Sequence, residues 1–421
     1  MYRAGRGTVV ADLGAALGTD RLTSDDVFRS VLQRVPDDDV AWASLGPAAQ
    51  AFARATAGTL PPPTSAPALV AAWWRARSWA EQQAVLRDAP QAVGAADGIP
   101  AVARHQANLM FLERRDAEMA GMIAAASRDE FSSSALVRST AIGGLQRHRD
   151  AIAALRAELV VPRSRPLYLL SVDPMGRGRA VVAIGDPDSS AAVATYVPGT
   201  GSGLASLGDE LARADAWSTG AAQFGTRDVS TVAWVGYESP PNLGGAAFDA
   251  YALAGAPALV AFQQGLRASH RGEPARTTIV GHSYGNSVIA AAASDGRSLA
   301  ADRLVLVASP GLELTSVADL HLDGVPPEQM GGRVFALVHE NDAIRWTGPI
   351  HSGSPYEPGF GAQVIETEPF RLVPADPDPG FMAIRSPALD GLWAHGDYQA
   401  PESTEQRTIS ALIAGAPVPP R

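Results

Sequence analysis

The chain has no cysteine, which excludes disulfide scaffolds, thiolate metal sites, iron–sulfur clusters and cysteine nucleophiles together. It has no lysine either, since all 34 basic residues are arginine. Schiff-base chemistry and the lysine of a phosphate-binding loop are therefore excluded. No run approaches the ~20 apolar residues that a membrane-crossing helix needs. The first residues, broken by Gly and Asp, make a poor secretory signal, so a cytoplasmic protein is expected. A block of positive charge is also missing. With 44 acidic residues the net charge is −10, and no nucleic-acid or anionic-membrane partner is expected.

Of the 421 residues, 46% are hydrophobic and 19% charged, which is the balance of a globular chain too long for one ordinary domain. Three parts are expected: a weakly patterned helical leader (1–60), a helical hairpin with a lid-like or structural role (61–160), and an α/β domain (161–421). The Pro-rich stretch from Leu60 to Pro67 marks the first break. A short helix then carries Leu69, Val70, Trp73 and Trp74, with the tryptophans read as packing. Ser78 and Glu81 stand at capping-box spacing, each side chain satisfying a free N–H of the first turn. Two longer helices follow. One has its apolar stripe at Leu109, Leu112, Met119 and Ile123, the other at Leu145, Ile152, Leu155 and Leu159, with a turn expected at 129–134 between them.

From Leu167 the pattern changes. Two apolar runs joined by a Gly-rich turn, Leu167 to Val172 and Arg179 to Gly185, read as an antiparallel hairpin. Six further apolar strands alternate with helices. Near-continuous apolar strands separated by helices indicate a mostly parallel sheet of about eight strands, covered on both faces.

The sharpest motif is Gly281-His282-Ser283-Tyr284-Gly285, a G-x-S-x-G set between an apolar strand and a helix. There the tight turn of a nucleophile elbow would lift Ser283 above the sheet. A serine hydroxyl needs a base, itself oriented by an acid, and this fold places both later in the chain. Asp342, just past the strand Val334 to Val338, is the expected acid, with Glu340 as its rival. His395, beyond the last strand, is preferred as base to His351. The N–H groups of Tyr284 and Thr200 are the expected oxyanion donors, Thr200 because the glycines around it let the backbone approach closely. Tyr237, Glu238 and Trp346 are tentative pocket residues, and Phe381 and Trp393 also fall on the acid and base loops. No metal or cofactor is called for. The expected substrate is a small or lipid-like acyl compound.

The stretch from Ala71 to Leu112, then YVPGTGSG, WVGYESPP, GHSYGNSV and HENDAI in that order, resembles an actinobacterial α/β-hydrolase family of unassigned function over about residues 66–400. The resemblance implies an α/β-hydrolase fold. It matches Ser283 to the nucleophile, Asp342 to the acid, and His395, in an H-x-x-Y setting with Tyr398, to the base. Glu238 stands where the family tends toward aspartate. The leading expectation is a serine ester hydrolase acting through an acyl-enzyme. The alternatives are an acyltransferase or thioesterase with the same triad, and a non-catalytic interaction module on a hydrolase scaffold.

Overall fold

The computed structural model describes residues 60–128, 135–340, 342–346, 351–367, 395, 398 and 403–418. Residues 1–59 of the expected leader, the expected turn at 129–134, Phe381 and Trp393 lie outside the described residues. The α/β part is built on one eight-stranded sheet. Its strands are β1 (Leu167–Asp173), β2 (Arg179–Ile184), β3 (Ala192–Val197), β4 (Val229–Val235), β5 (Arg276–His282), β6 (Arg303–Val307), β7 (Val334–His339) and β8 (Gln363–Thr367). Their order is β1-β2-β4-β3-β5-β6-β7-β8. The β1/β2 and β2/β4 pairs are antiparallel and the remaining pairs parallel. This is the mostly parallel sheet expected from the apolar runs. Because β3 lies between β4 and β5, Val197 pairs with Gly281. The loops leaving β3 and β5 thus emerge side by side at the carboxyl ends of the strands, where open α/β sheets bind their ligands.

Successive strand residues point to opposite faces, and the core divides accordingly. Val232, Trp234, Ile279, Leu304 and Leu306 face one layer, formed by α7 (Ala250–Ser269) and α8 (Gly285–Ala292). Their neighbours Val280, Val305 and Val307 face the other, built from α6 (Leu207–Ala221) and α9 (Thr404–Ala414). Among the described residues five helices precede the sheet's hairpin: α1 (Pro67–Arg75), α2 (Trp79–Asp88), α3 (Pro90–Ala95), α4 (Ala101–Arg128) and α5 (Ala135–Leu159). Ser78 caps α2 with the full reciprocal box to Glu81. Trp73 and Trp74 are buried in a small core with Leu86, Val93 and Ile99, which is packing rather than a ligand platform.

The α4–α5 pair does not hang free as a cover. Leu112, Met119, Ile152 and Leu155 are buried against Leu169 of β1, Val182 of β2 and Leu207 and Leu211 of α6. Burying each such side chain is worth about 2 kcal/mol. The pair therefore completes one helical layer at the antiparallel end of the sheet. It also closes that end. β1 is the edge strand, and an edge leaves unpaired N–H and C=O groups. At Leu169 both are taken by α4: its N–H donates to His105 Nδ1 at 2.9 Å, and its carbonyl accepts from Asn108 Nδ2 at 2.9 Å. The N-terminus of α4 is tied down by Asp188, whose Oδ2 accepts the Ala101 N–H at 2.6 Å and whose Oδ1 accepts the Ser269 hydroxyl of α7 at 2.6 Å. Burial, with Asp186 adding to it, pushes the Asp188 carboxyl up to about 6.

Burial pushes His105 down to about 4, and only the neutral ring can accept the Leu169 N–H. The unfolded chain binds a proton there from about pH 6.5, whereas the native state resists it until about 4. The stability contributed by His105 is therefore complete above pH 6.5 and lost as pH falls toward 4. Chemical denaturation of the protein and of His105→Gln between pH 7.5 and 4 should show the wild-type advantage shrinking over that window. A constant difference would mean that His105 does not act through its neutral ring.

Candidate active site

The elbow between β5 and α8 is strained, and its glycines are required by contact. Ser283 has φ 54°, a left-handed conformation that costs a non-glycine residue on the order of 1–3 kcal/mol. A Cβ on Gly285 would lie 2.1 Å from the Val197 carbonyl oxygen, and one on Gly281 would lie 2.3 Å from Asn286 Oδ1. At Gly285 the obstacle is backbone and admits no side chain, whereas at Gly281 the Asn286 side chain would have to give up its place in the turn. The turn is held by Val307 at the end of β6, whose carbonyl accepts the Ser283 N–H at 3.0 Å and the Asn286 amide at 2.9 Å. Asn286 also donates to the Ser283 carbonyl at 2.9 Å.

The structure brings together three of the residues singled out by their chain order. His395 Nε2 lies 2.9 Å from Ser283 Oγ, and its Nδ1 lies 3.3 Å from Asp342 Oδ2. Asp342 is 0% exposed. Its Oδ1 accepts the Ile344 N–H at 2.8 Å, and its Oδ2 accepts the Tyr398 hydroxyl at 2.6 Å. Burial alone would raise its pKa, but the bonds from His395, Tyr398 and Ile344 prevail and hold the carboxyl below the usual range. It is a carboxylate at neutral pH. The rivals are placed elsewhere. Glu340 is exposed. His351 Nε2 bonds the Ala246 carbonyl at 2.8 Å, and its Nδ1 lies 3.2 Å from Glu313.

The loop after β3 lies directly against the serine. A Cβ on Gly199 would be 2.7 Å from Ser283 Cβ and 3.2 Å from Oγ. Neither the Thr200 N–H beyond it nor the Tyr284 N–H is spent on a backbone carbonyl among the described residues. The pocket expectations fare differently. Tyr237 does not form an open wall. It is 2% exposed and stacked parallel to Trp234, and its hydroxyl donates to the Pro198 carbonyl at 2.8 Å. Core packing claims the ring, and the hydroxyl straps the β3 loop. Two neighbours add to the strap: Ser239 Oγ donates to the Ser202 carbonyl at 2.7 Å, and the Gly201 N–H donates to the Pro240 carbonyl at 2.8 Å. Glu238 is exposed. Trp346 ends a short turn of helix, Ala343–Trp346, and its side chain lies outside the described residues.

One contributor went unread in the sequence. His282, the variable position of the motif, donates Nε2–H to the His395 carbonyl at 2.8 Å. Burial, then the neighbouring His395, pushes its imidazole down to about 3, so it serves as a neutral donor. Its place inside the pentapeptide was visible, but its partner 113 residues away was not.

A family model described as alpha/beta hydrolase matches residues 173–352, a span that includes Ser283 and Asp342. An uncharacterized protein of Mycobacterium bovis is 31% identical over 208 residues, covering 47% of this chain and 74% of that protein. The chain belongs to the alpha/beta hydrolase family. An uncharacterized protein of Mycobacterium tuberculosis (strain H37Rv) is 31% identical over 314 residues, covering 70% of this chain. The chain spans just under half of that relative, 46%. Among solved structures, a hyperthermophilic esterase from the archaeon Pyrobaculum calidifontis aligns at 12% identity and a TM-score of 0.34, covering 70% of this chain and 97% of that one. Among the described residues of this α/β hydrolase, no helix is long and apolar enough to cross a membrane.

The approach of the β3 loop to Ser283 leaves no room for a methyl group. Gly199→Ala should slow labelling of Ser283 by a fluorophosphonate about 100-fold and leave the circular dichroism unchanged. Labelling at the wild-type rate would place that loop away from the serine.

Proposed function

We propose that this α/β hydrolase is a serine ester hydrolase. One observation carries the reading: the His395 ring reaches Ser283 Oγ at 2.9 Å with one nitrogen and the buried Asp342 carboxylate at 3.3 Å with the other. In this reading His395 Nε2 takes the hydroxyl proton as Ser283 Oγ attacks the ester carbonyl carbon. Asp342 fixes the imidazole and offsets the positive charge it gains. The Tyr284 and Thr200 N–H groups, with the α8 N-terminus behind Tyr284, receive the negative oxygen of the tetrahedral intermediate. The proton returns from His395 to the departing alcohol, leaving Ser283 acylated. Water, deprotonated by His395, then releases the acid and restores the serine.

An apolar acyl group fits the surroundings. Leu243, Phe248 and Leu253 are exposed on the segment between β4 and the first turns of α7. That segment is joined to the residue after the serine, because Tyr284 donates its hydroxyl to the Phe248 carbonyl and accepts the Ala252 N–H. Exposed apolar side chains on one segment indicate a surface that something covers, and in this reading an acyl chain held on Ser283 covers it.

A fluorophosphonate should label the protein and fail to label Ser283→Ala. His395→Ala and Asp342→Asn should each lower kcat for 4-nitrophenyl esters roughly 10³- to 10⁴-fold. Well-folded wild type that neither labels nor turns over any ester would overturn the reading. For the acyl group, Phe248→Ser should raise KM for a decanoate ester several-fold while leaving an acetate ester within twofold. Equal changes for both esters would remove this segment from substrate binding.

A further inference from the structure

Asp342 Oδ2 has two donors, and the nearer is not the histidine. The Tyr398 hydroxyl is at 2.6 Å and His395 Nδ1 at 3.3 Å. Tyr398 is 1% exposed and oriented from both sides. Its oxygen accepts the His339 N–H at the end of β7 at 2.9 Å, and its ring packs 4.2 Å from that of His339 and 6.1 Å from that of His282. With one N–H entering the oxygen, the hydroxyl proton is directed at the carboxylate. Burial, then the Asp342 charge, pushes the phenol up, so it stays a donor throughout the neutral range. His395 and Tyr398 stand three residues apart in the chain and converge on one oxygen.

We propose that Tyr398 is a positioning residue. Its hydroxyl fixes the orientation of the Asp342 carboxylate and takes a share of the charge at Oδ2, leaving less of that charge to the His395 ring at Nδ1. The inference rests on the proposed triad. The physics is that of a shared acceptor. A bond donated into Oδ2 already stabilises its charge, so less is left to stabilise an imidazolium at Nδ1. Asp342 has no exposure, so bulk water is not at hand to replace a missing donor. The other groups around the pair are His282 at the end of β5, His339 with Glu405 of α9 at 3.5 Å, Tyr356, Arg345 and, behind His282, Arg213. Tyr398→Phe leaves every one of them in place.

The test is the pH dependence of kcat/KM for 4-nitrophenyl acetate, measured on the full chain from pH 5 to 9. In Tyr398→Phe the acidic limb should move up by about one unit, with the melting temperature checked in parallel. Tyr398→3-fluorotyrosine keeps the ring, the bond and the fold but is a stronger donor, so its limb should move down. In the Asp342→Asn background, where the shared charge is gone, Tyr398→Phe should leave the residual limb unmoved. A drop in activity with an unmoved limb would make Tyr398 merely structural and overturn the proposal. Shifts of the same sign in the two Tyr398 variants, or an equal shift without the Asp342 charge, would also overturn it. If the wild type turned over no ester, the triad reading would fail instead. The His395 ring-proton titration by NMR, compared between wild type and the Tyr398 variants, would then decide whether the oxygen is shared.

Discussion

The close approach of two backbone segments governs the architecture of the site. The β5–α8 elbow and the loop leaving β3 are in contact at Gly285 against the Val197 carbonyl and at Gly199 against Ser283. Such contacts exclude any Cβ, and they require the register that pairs Val197 with Gly281. That register follows in turn from β3 lying between β4 and β5. Sheet order, glycine spacing and the strained Ser283 backbone are thus one constraint. The surrounding packing holds the strain. Val307 and Asn286 clamp the turn through bonds to both the N–H and the C=O of Ser283.

The second demand is a buried charge. A carboxylate with no exposure costs several kcal/mol unless its oxygens are satisfied. Asp342 meets this with a backbone N–H on one oxygen and Tyr398 and His395 on the other. The same side chains therefore stabilise the fold and set the geometry of the histidine. His282 contributes from the opposite side through the His395 carbonyl. It can do so only because burial keeps it neutral, leaving no competing positive charge beside the His395 ring.

The helical segment solves a problem at the far end of the sheet. An eight-stranded sheet with an antiparallel start has an open edge at β1, and His105 and Asn108 close it through Leu169. The hydrophobic stripe of α4 and α5 buries against β1, β2 and α6. The hairpin pattern is compatible with a lid-like or a structural role, because an amphipathic helix pair records only that one face is covered, not by what. Its partner here is the sheet.

Much of the fold is legible in the sequence because its causes are local. Near-continuous apolar runs from β4 to β7 mark strands covered on both faces, Ser78 and Glu81 announce the start of α2, and the glycines flanking Ser283 mark a tight turn. Chain order and position after the strands also point to Asp342 and His395, and the structure brings His395 within hydrogen-bonding reach of both Asp342 and Ser283. The placing of Tyr237, a tentative pocket residue, is not legible for the opposite reason. Whether a tyrosine after a strand faces a cleft or is buried depends on what packs over it, here Trp234 and the Pro198 carbonyl. The sharing of Asp342 Oδ2, the His282 bond and the Asp188 anchor join residues 56, 113 and 87 positions apart. Periodicity and turn chemistry act over a few residues and are written in the sequence. Which distant donor meets which acceptor depends on how the layers close, and only the tertiary structure decided it.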